Sequence, residues 1–191
     1  MSKVKVGIIG ATGYVGVELI RLLNAHPQVE LSAIGSNSFV DKSITEVYPS
    51  VGIGNDMKCM KNEDVIKNSD LIFTALPHGV SEEFVLQAVK EGKKVVDLGA
   101  DFRLKDEATF KEWYNVSFID KKLHEEAVYG LCEHYKDEIK NAKVIANPGC
   151  YVTSISLPLM PLLKEKLIKK EGIVADSKSG VTGAGRGLTL L

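Results

Sequence analysis

The chain has 191 residues, of which 45% are apolar and 26% charged, and its formal net charge is −1. This is an ordinary globular composition, and the length is sufficient to bury a core. The near balance of basic and acidic residues predicts neither nucleic acid nor an anionic membrane surface as a partner. No segment approaches the roughly 20 consecutive apolar residues that cross a bilayer, so we expect no membrane association.

The three cysteines, Cys59, Cys132 and Cys150, form no pair at metal-ligand spacing. A sparse, odd number of cysteines argues against a disulfide framework and is typical of a reducing compartment. The N-terminus enters a short apolar segment directly, without the long apolar stretch and cleavage site of a signal peptide. We therefore expect a soluble, cytoplasmic protein without a bound metal.

The first thirty-odd residues have the pattern of one βαβ unit. Val4–Ile9 is a β-branched apolar run, typical of a buried parallel strand. From Gly13 onward the apolar residues recur at helical spacing, and the predicted helix ends before Pro27. Val29–Ile34 then forms the second predicted strand.

Strands and helices continue to alternate further along the chain, although residues 39–60 are mixed and suggest loops around Pro49. The further predicted elements are a helix at Glu63–Asn68, a strand at Leu71–Leu76, a helix at Ser81–Glu91 with Ser81 as its N-cap, a strand at Lys94–Leu98, helices at Asp106–Tyr114 and His134–Lys140, a strand at Val144–Ala146, a helix at Tyr151–Lys166 and a strand at Gly172–Asp176. This alternation predicts an α/β fold built on a doubly wound parallel sheet.

Three glycines lie between the first strand and the first helix. Gly10 permits a tight turn, Gly13 lets the backbone approach a pyrophosphate, and Gly16 lets the helix pack closely on the strand. The N–H groups of the first helical turn then face the phosphates. The turn predicts a dinucleotide site, while a turn that only packs the βα unit remains the alternative. The residues predicted to bind the dinucleotide here are Gly10, Thr12, Gly13, Tyr14, Val15 and Gly16.

The end of the second strand distinguishes NAD from NADP. Enzymes that use NAD place an acidic residue there for the ribose 2′-hydroxyl. Here the chain has Gly35, Ser36, Asn37 and Ser38, and the nearest acid on the strand, Glu30, lies at its start. Hydroxyls and amides can donate to a 2′-phosphate that a carboxylate would repel. We predict NADP, with Ser36 and Ser38 as binding residues, and no arginine clamp is visible at this position.

These features predict a Rossmann-type dinucleotide-binding domain over residues 1–147. The remaining residues, 148–191, are too few for a second domain. We interpret them as the beginning of an α+β catalytic domain that is incomplete in this chain.

Cys150 follows Asn147-Pro148-Gly149 and opens a predicted helix. The helix dipole and the free N–H groups of the first turn stabilise a thiolate, which is the form that nucleophilic catalysis requires. The position also lies at the carboxyl edge of the sheet, where open parallel sheets bind ligands. We therefore predict that Cys150 is catalytic. Cys59 and Cys132 lack this setting and are predicted to be small buried apolar residues.

The segment Ser177–Arg186 combines hydroxyls, glycines and two cations. Backbone N–H groups and cationic side chains of this kind suit a phosphate or a carboxylate. A flexible loop with solvated charges explains the composition equally well, and the residues alone leave both interpretations open.

Together these motifs resemble the N-acetyl-gamma-glutamyl-phosphate reductases, the NADP-dependent acyl-phosphate reductases of arginine biosynthesis. The segments that carry the resemblance are Gly10–Gly16, Leu76–Gly79, Asp97–Leu104, Tyr129–Leu131, Asn147–Tyr151 and Ser177–Arg186. The resemblance implies that the Cys150 thiolate attacks an acyl phosphate and releases phosphate. Hydride from NADPH then reduces the resulting thioester to N-acetylglutamate semialdehyde. It also implies a homo-oligomer.

The resemblance adds further site residues to those read from the motifs. It implies substrate-binding roles for Arg103, Asn147 and Arg186, and cofactor-binding roles for Pro77, Ser179 and Gly180. His78 is expected either near the active site or simply at the surface.

The family also carries a catalytic histidine beyond the glycine-rich loop, and no segment here has its motif. His26, His124 and His134 lie in segments without a matching pattern. We therefore expect an incomplete catalytic domain. One alternative is a non-catalytic NADP-binding fragment, against which the setting of Cys150 argues. Another is a sibling reductase that acts on an aminoadipyl or aspartyl phosphate; the sequence Asn-Pro-Gly-Cys-Tyr favours the N-acetylglutamyl branch over the aspartyl one.

Overall fold

Strands and helices alternate along the chain in the computed structural model, which describes residues 2–51 and 56–186. The strands are β1 (Val4–Ile9), β2 (Val29–Gly35), β3 (Leu71–Thr74), β4 (Lys94–Asp97), β5 (Val128–Tyr129) and β6 (Val144–Ala146). The helices are α1 (Tyr14–Asn24), α2 (Ile44–Val47), α3 (Asn62–Lys67), α4 (Ser81–Lys90), α5 (Glu107–Tyr114), α6 (Lys121–Glu126), α7 (Lys136–Asn141) and α8 (Cys150–Lys164), and a 3₁₀ turn covers Val181–Ala184. Within these described ranges, no helix is both long enough and apolar enough to span a bilayer.

The strands form one sheet in the order β2-β1-β3-β4-β6-β5. Every neighbouring pair is parallel, which confirms the predicted doubly wound parallel sheet. The chain places β2 on one side of β1 and β3 on the other, so the direction of winding reverses at β1. Ligands of such sheets bind outside the carboxyl ends of the strands at this switch point.

Both faces of the sheet are buried. Consecutive side chains of a strand point to opposite faces, and Ile8 and Ile9 of β1 accordingly belong to different core clusters. Ile8 packs in the cluster that contains Ile20 of α1, whereas Ile9 packs in the cluster that contains Val85 of α4. Helices on both faces explain why the strands read as continuous apolar runs rather than as alternating patterns.

The turn between β1 and α1 depends on the missing side chains of two glycines. Gly10 has φ +82°, and a Cβ there would lie 2.4 Å from the carbonyl oxygen of Ala75. A Cβ on Gly16 would lie 2.3 Å from the carbonyl oxygen of Gly10 and 2.6 Å from Cα of Ala11. Helix α1 can therefore approach β1 this closely only with glycine at position 16.

A buried carboxylic acid, Asp97, ends β4. Its Oδ1 accepts hydrogen bonds from the Thr74 hydroxyl at 2.6 Å and from the Gly99 amide at 3.2 Å. Burial raises the pKa of Asp97, the Thr74 hydrogen bond opposes that shift, and the nearby Asp101 charge adds to it. The group thus joins the ends of β3 and β4 and the turn that follows β4.

Asp101 links that turn to the start of α4. Its carboxylate accepts hydrogen bonds from the Gly79 amide at 2.6 Å, the Ser81 amide at 3.0 Å and the Ser81 hydroxyl at 2.7 Å. The prediction of Ser81 as N-cap is wrong, because the N-cap is Val80 and Ser81 is the first helical residue. A carboxylate twenty residues away accepts the hydrogen bond from the first helical amide of α4.

The predicted strand at Gly172–Asp176 is also wrong, because these residues have no regular structure and are exposed. The apolar pair at positions 173 and 174 suggested a strand, yet Val174 is 90% exposed. A strand forms only where another strand satisfies its backbone hydrogen bonds, and none of the described residues pairs with this segment.

Several short elements escaped the sequence analysis. Helices α2 and α6 and strand β5 span only two to six residues each, too few for a periodic pattern. The predicted strand at Leu71–Leu76 ends earlier, at Thr74. Cys59 is buried in the core as predicted. Cys132 is exposed, contrary to the prediction, because it lies on the turn that follows the edge strand β5.

His124 is a core residue. Its side chain is fully buried between the rings of Phe118 and Phe102, with centroid distances of 3.4 and 4.6 Å. Its Nε2 lies 3.0 Å from a carboxylate oxygen of Glu82, which also accepts backbone hydrogen bonds from residues 119 and 120. This pair fastens α6 to α4 beneath the surface.

We expect Gly16→Ala to lower the free energy of unfolding by about 1 to 3 kcal/mol, the usual range for overpacking a close contact. The added methyl group would meet backbone atoms of Gly10 and Ala11, which cannot move aside as a flexible side chain can. Urea denaturation followed by circular dichroism measures the change. Gly13→Ala is the matched control, because its Cβ would meet only the Gly10 carbonyl oxygen at an ordinary 3.5 Å. Equal stabilities of the two variants would contradict the packing argument.

We expect the free energy of unfolding of Asp97→Asn, relative to the wild type, to rise as the pH increases above the unfolded-state pKa of 3.8. The folded-state pKa of Asp97 is raised above the unfolded value of 3.8, so the folded chain holds this proton more tightly. The wild type consequently loses stability as the pH rises through the folded pKa, and an amide does not. Urea denaturation at a series of pH values measures the difference.

Asp106→Asn serves as the opposite case for that pH series. Hydrogen bonds from Thr109 lower the pKa of Asp106. The ionised carboxylate therefore adds to the free energy of unfolding above the unfolded-state pKa, and this stabilisation disappears as the pH falls through the folded-state pKa. The stability of this variant relative to the wild type should therefore fall as the pH rises. If the free energy of unfolding of Asp97→Asn relative to the wild type stays constant or falls as the pH rises, Asp97 does not carry a raised pKa.

Candidate active site at the carboxyl edge of the sheet

A cleft of about 670 Å³ opens at the carboxyl ends of β1, β3 and β4. It lies at the point where the sheet reverses its winding. Its lining comprises residues 13–15, 75–78, 98–100 and 182–186, together with Arg103 and Tyr114. Three segments that are distant in sequence therefore line the same cleft. They are the glycine turn, the segment after β3 and residues 182–186, which we call the tail.

The glycine turn is held against the end of β2. The amides of Gly10 and Ala11 both donate to the carbonyl oxygen of Gly35, at 3.1 and 2.9 Å. No side chain caps the start of α1 among the described residues, and its first turn contains no acidic residue. The space beside Gly13 is open enough for a Cβ. The protein itself thus does not require glycine at position 13, whereas a closely bound phosphate would.

The end of β2 presents hydroxyls and an amide rather than a carboxylate. Ser36 is 3% exposed, and its Oγ lies 2.8 Å from Oγ1 of Thr12. Asn37 and Ser38 are exposed, and the Asn37 side-chain oxygen accepts a hydrogen bond from Asn62 at 3.1 Å. The Ser36 hydroxyl therefore ties β2 to the glycine turn, and Ser38 presents its hydroxyl to solvent.

Arg186, in the tail, lies near the end of β2, where it contacts Thr12. Its guanidinium carbon lies 4.7 Å from the centroid of the Tyr48 ring and 5.9 Å from that of Phe39. Nη1 of Arg186 and the Tyr48 hydroxyl both donate to the carbonyl oxygen of Thr12, at 3.3 and 2.9 Å. Burial raises the pKa of Tyr48, against the opposing charge of Arg186, so the phenol remains a neutral donor.

Cys150 is exposed at the first position of α8, a helix of 15 residues. Gly149 precedes it as N-cap in extended conformation, and no side chain within the described ranges caps the helix. This is the predicted placement, at the end of β6 on the carboxyl edge of the sheet. An anion at Cys150 would meet the positive end of the helix dipole.

Arg103 fastens the turn after β4 to the segment that leads into Cys150. Its Nε donates to the carbonyl oxygen of Asn147 at 2.8 Å, and its Nη2 donates to that of Leu98 at 2.9 Å. Nη1 lies 3.3 Å from where a Cβ of Gly149 would be. Two of the three guanidinium nitrogens thus hold the backbone, and the third faces the turn before the cysteine.

The structure separates the predicted site residues into two groups. Arg103 and Asn147 lie beside Cys150 at the ends of β4 and β6. Arg186, which was predicted to join them as a substrate ligand, lies instead with Thr12 near the end of β2. The Asn147 side-chain amide donates to the Pro148 carbonyl oxygen at 3.1 Å, so it stabilises the turn before Cys150.

The remaining predicted residues lie along the cleft or next to it. Pro77 and His78 are exposed and line the cleft, and the His78 ring lies 5.4 Å from that of Tyr114. Ser179 and Gly180 are exposed and directly precede the tail residues that line the cleft. His78 thereby satisfies both expectations, since it is at the surface and at the candidate site.

Sequence reasoning did not identify the aromatic pair Phe39 and Tyr48. Both fall in the segment interpreted as loops, and their contact with Arg186 joins residues more than 130 positions apart. No local pattern signals such a contact. An arginine in the tail and two aromatic residues after β2 were each visible, but nothing in the sequence paired them.

Solved structures share this fold. Aspartate semialdehyde dehydrogenase from Candida albicans, solved with NADP, matches with a TM-score of 0.61 at 20% identity and covers 86% of this chain and 48% of its own. Aspartate semialdehyde dehydrogenase II from Vibrio cholerae matches with a TM-score of 0.64 at 19% identity, over 86% of this chain and 43% of its own. Such identities establish the fold alone.

Relatives with curated names are more similar in sequence. The N-acetyl-gamma-glutamyl-phosphate reductase of Clostridium beijerinckii is 52% identical over 187 residues, and that of Pelotomaculum thermopropionicum is 50% identical over 189. Each alignment covers 98% of this chain and 54% of the relative. The chain thus spans about half the length of the curated relatives it matches, and they confirm the resemblance inferred from the motifs.

Two family patterns match successive parts of the chain. The pattern described as "Semialdehyde dehydrogenase, NAD binding domain" matches residues 5–142, and "Semialdehyde dehydrogenase, dimerisation domain" matches residues 150–190. The first match covers most of the chain and contains the glycine turn and most of the parallel sheet, which confirms the predicted dinucleotide-binding fold. The chain therefore belongs to the semialdehyde dehydrogenase family.

Proposed function

We propose that this chain carries the cofactor site and the nucleophile of an NADPH-dependent reductase that converts N-acetyl-gamma-glutamyl phosphate to N-acetylglutamate semialdehyde and phosphate. The observation that carries the proposal is Cys150, exposed at the start of a long helix on the same sheet edge as the glycine turn. Relatives about half-identical to this chain bear the name of that enzyme, which supports the substrate.

The glycine turn fits a dinucleotide pyrophosphate. The uncapped first turn of α1 offers N–H donors, and the space beside Gly13 accepts a group in close contact with the backbone. The residues that would hold the cofactor are Gly10, Thr12, Gly13, Tyr14, Val15, Gly16, Ser36, Ser38, Pro77, Ser179 and Gly180. NADPH, when bound, supplies the hydride.

The NADP preference follows from the end of β2. Asn37 and Ser38 are exposed there and can donate to a phosphate. An acidic residue, which would bind a 2′-hydroxyl and repel a 2′-phosphate, is absent from residues 35–40, all of which are described.

Cys150 acts as the nucleophile in this mechanism. Its sulfur forms a bond to the acyl carbon, the bond from that carbon to the phosphate oxygen breaks, and inorganic phosphate leaves. The positive end of the α8 dipole lies at the sulfur that makes this attack. The covalent product is a thioester on Cys150, whose carbonyl carbon is the centre that is reduced.

Arg103 and Asn147 position the reacting groups. Arg103 holds the backbone on both sides of the approach to Cys150, and its Nη1 faces the Gly149 turn, where an anionic substrate group would lie. A guanidinium binds phosphate and carboxylate with charge-assisted hydrogen bonds. Asn147 keeps the turn in place through its bond to Pro148.

The proposed enzyme is a cytoplasmic homo-oligomer. The match of residues 150–190 to a dimerisation domain supports the oligomer. The three free thiols of Cys59, Cys132 and Cys150 support a reducing compartment.

We expect Gly13→Ala to weaken NADPH binding at least about tenfold while changing the free energy of unfolding by less than about 1 kcal/mol. The methyl group has room in the folded chain but occupies the space that a pyrophosphate needs. Isothermal titration calorimetry gives the affinity, and urea denaturation gives the stability. Unchanged affinity would place the phosphates away from this turn.

We expect the chain, mixed with N-acetyl-gamma-glutamyl phosphate, to release one phosphate per chain and to acquire one N-acetylglutamyl group on Cys150. Intact-mass spectrometry and peptide mapping locate the group, and hydroxylamine removes it if it is a thioester. Cys150→Ser should remain unacylated. Cys132→Ser is the matched control, because Cys132 is also exposed but does not begin a helix, and this variant should react as the wild type does.

The outcomes separate the competing functions. Equal acylation of Cys132 and Cys150 would contradict a specific nucleophile. Tight NADPH binding without acylation would identify a non-catalytic dinucleotide-binding fragment. Faster acylation by an aminoadipyl or aspartyl phosphate would assign the chain to a sibling reductase.

A further inference from the structure

We infer that Arg186 is the cationic ligand of the cofactor's 2′-phosphate and thereby sets the preference for NADPH over NADH. The inference rests on the proposed function, since it assumes that the cleft binds this dinucleotide. It reassigns an arginine that the motifs grouped with the substrate ligands.

The position of Arg186 along the sheet edge is the first argument. The guanidinium donates to Thr12, whose hydroxyl bonds to Ser36 at the end of β2. In a dinucleotide-binding sheet, the residue at the end of β2 meets the ribose 2′-group. Arg186 therefore lies beside the adenosine ribose rather than beside the nicotinamide.

The distance from the nucleophile is the second argument. Cys150 follows β6, and the sheet order places β3 and β4 between β6 and β1. Neighbouring strands are about 4.8 Å apart, so the ends of β1 and β6 are separated by about 14 Å. A substrate carbon bonded to Cys150 lies three strands away from the turn that Arg186 contacts, and Arg103 is the cation at that end.

The way the side chain is held is the third argument. Tyr48 and Phe39 provide aromatic surfaces for the guanidinium. A planar guanidinium stacks on such rings while its N–H groups remain available as hydrogen-bond donors. The hydrogen bond to Thr12 uses one of five N–H donors. Arg186 also lines the cleft, so its other donors have access to a bound ligand.

The surrounding polar groups complete an anion site. Ser38 and Asn37 are exposed at the end of β2, and the nearest acidic side chain of α2, Glu46, is paired with Lys42 at 3.5 Å. The basic residue of this loop, Lys42, is engaged in that pair, and Arg186 supplies a second positive charge from the tail. A cation from a distant segment thus replaces the local arginine clamp common at such sites.

The test compares two nucleotides that differ only in the 2′-phosphate, adenosine 2′,5′-bisphosphate and adenosine 5′-monophosphate. Isothermal titration calorimetry measures both affinities for the wild type, Arg186→Met, Arg186→Lys and Lys178→Met. Lys178 is a matched control, since it is another cation of the same exposed segment and pairs with Asp176 at 2.7 Å. The affinities for NADPH and NADH are measured alongside.

We expect Arg186→Met to weaken binding of the bisphosphate and of NADPH about 10- to 100-fold, as for the loss of a charged hydrogen bond, and to leave the monophosphate and NADH unchanged. Arg186→Lys should retain part of the preference, because it keeps the charge without the planar stacking. Lys178→Met should behave as the wild type does. The thermal unfolding midpoint of each variant verifies the fold.

The contrary results are distinguishable. If the wild type binds the bisphosphate and the monophosphate equally, the proposed NADP specificity fails, and this inference fails with it. Suppose instead that the wild type prefers the bisphosphate. If Arg186→Met retains that preference, or if its affinities for the bisphosphate and the monophosphate fall equally, only the role of Arg186 is overturned. Reduced acylation of Cys150 in Arg186→Met with an unchanged NADPH affinity would return the residue to the substrate.

Discussion

Parallel pairing of the strands is the constraint on which the candidate site depends. Two parallel strands cannot be joined by a tight turn, so each connection crosses a face of the sheet and every strand ends at the same edge. The glycine turn after β1, the segment after β3, the turn after β4 and the cysteine after β6 are brought together for this reason. Residues separated by more than a hundred positions thereby line or border one cleft.

Two buried carboxyl groups keep the middle of that edge in order. Asp97 joins the ends of β3 and β4, and Asp101 caps α4 from the following turn. A buried carboxyl is costly unless its oxygens accept hydrogen bonds; Asp97 accepts them through Oδ1, and Asp101 accepts them through both oxygens. The turn that carries Arg103 starts from this fixed point. Rigid support beneath exposed groups is what a catalytic site requires.

Two arginines lie at different strand ends of the candidate site. Arg103 bonds to the backbone beside Cys150, whereas Arg186 stacks on Tyr48 and bonds to Thr12. In the roles proposed above, Arg103 would meet the substrate and Arg186 the adenosine end of the cofactor, and the strand end to which each is tied separates the two roles. Both are held by backbone carbonyls, so their charges are oriented before an anion arrives, which reduces the entropic cost of binding.

The sequence predicted those features that depend on neighbours along the chain. A glycine turn between an apolar strand and a helix is local, and so is the Pro-Gly turn that places Cys150 at the start of α8; both were located in the sequence. The apolar runs of the main strands predicted a parallel sheet because burial on both faces leaves no alternation. Short elements such as β5 escaped notice, since two residues carry no period.

What the sequence by itself determined is therefore the fold class, the glycine turn and the position of Cys150 at the start of α8, because each follows from backbone conformation over a few residues. Only the tertiary structure decided which groups meet across the chain. It capped α4 with Asp101 instead of Ser81, left Gly172–Asp176 without a strand partner, and placed Arg186 against Tyr48. Contacts of this kind depend on which segments the sheet brings side by side, and local propensity carries no information about a partner that lies far along the chain.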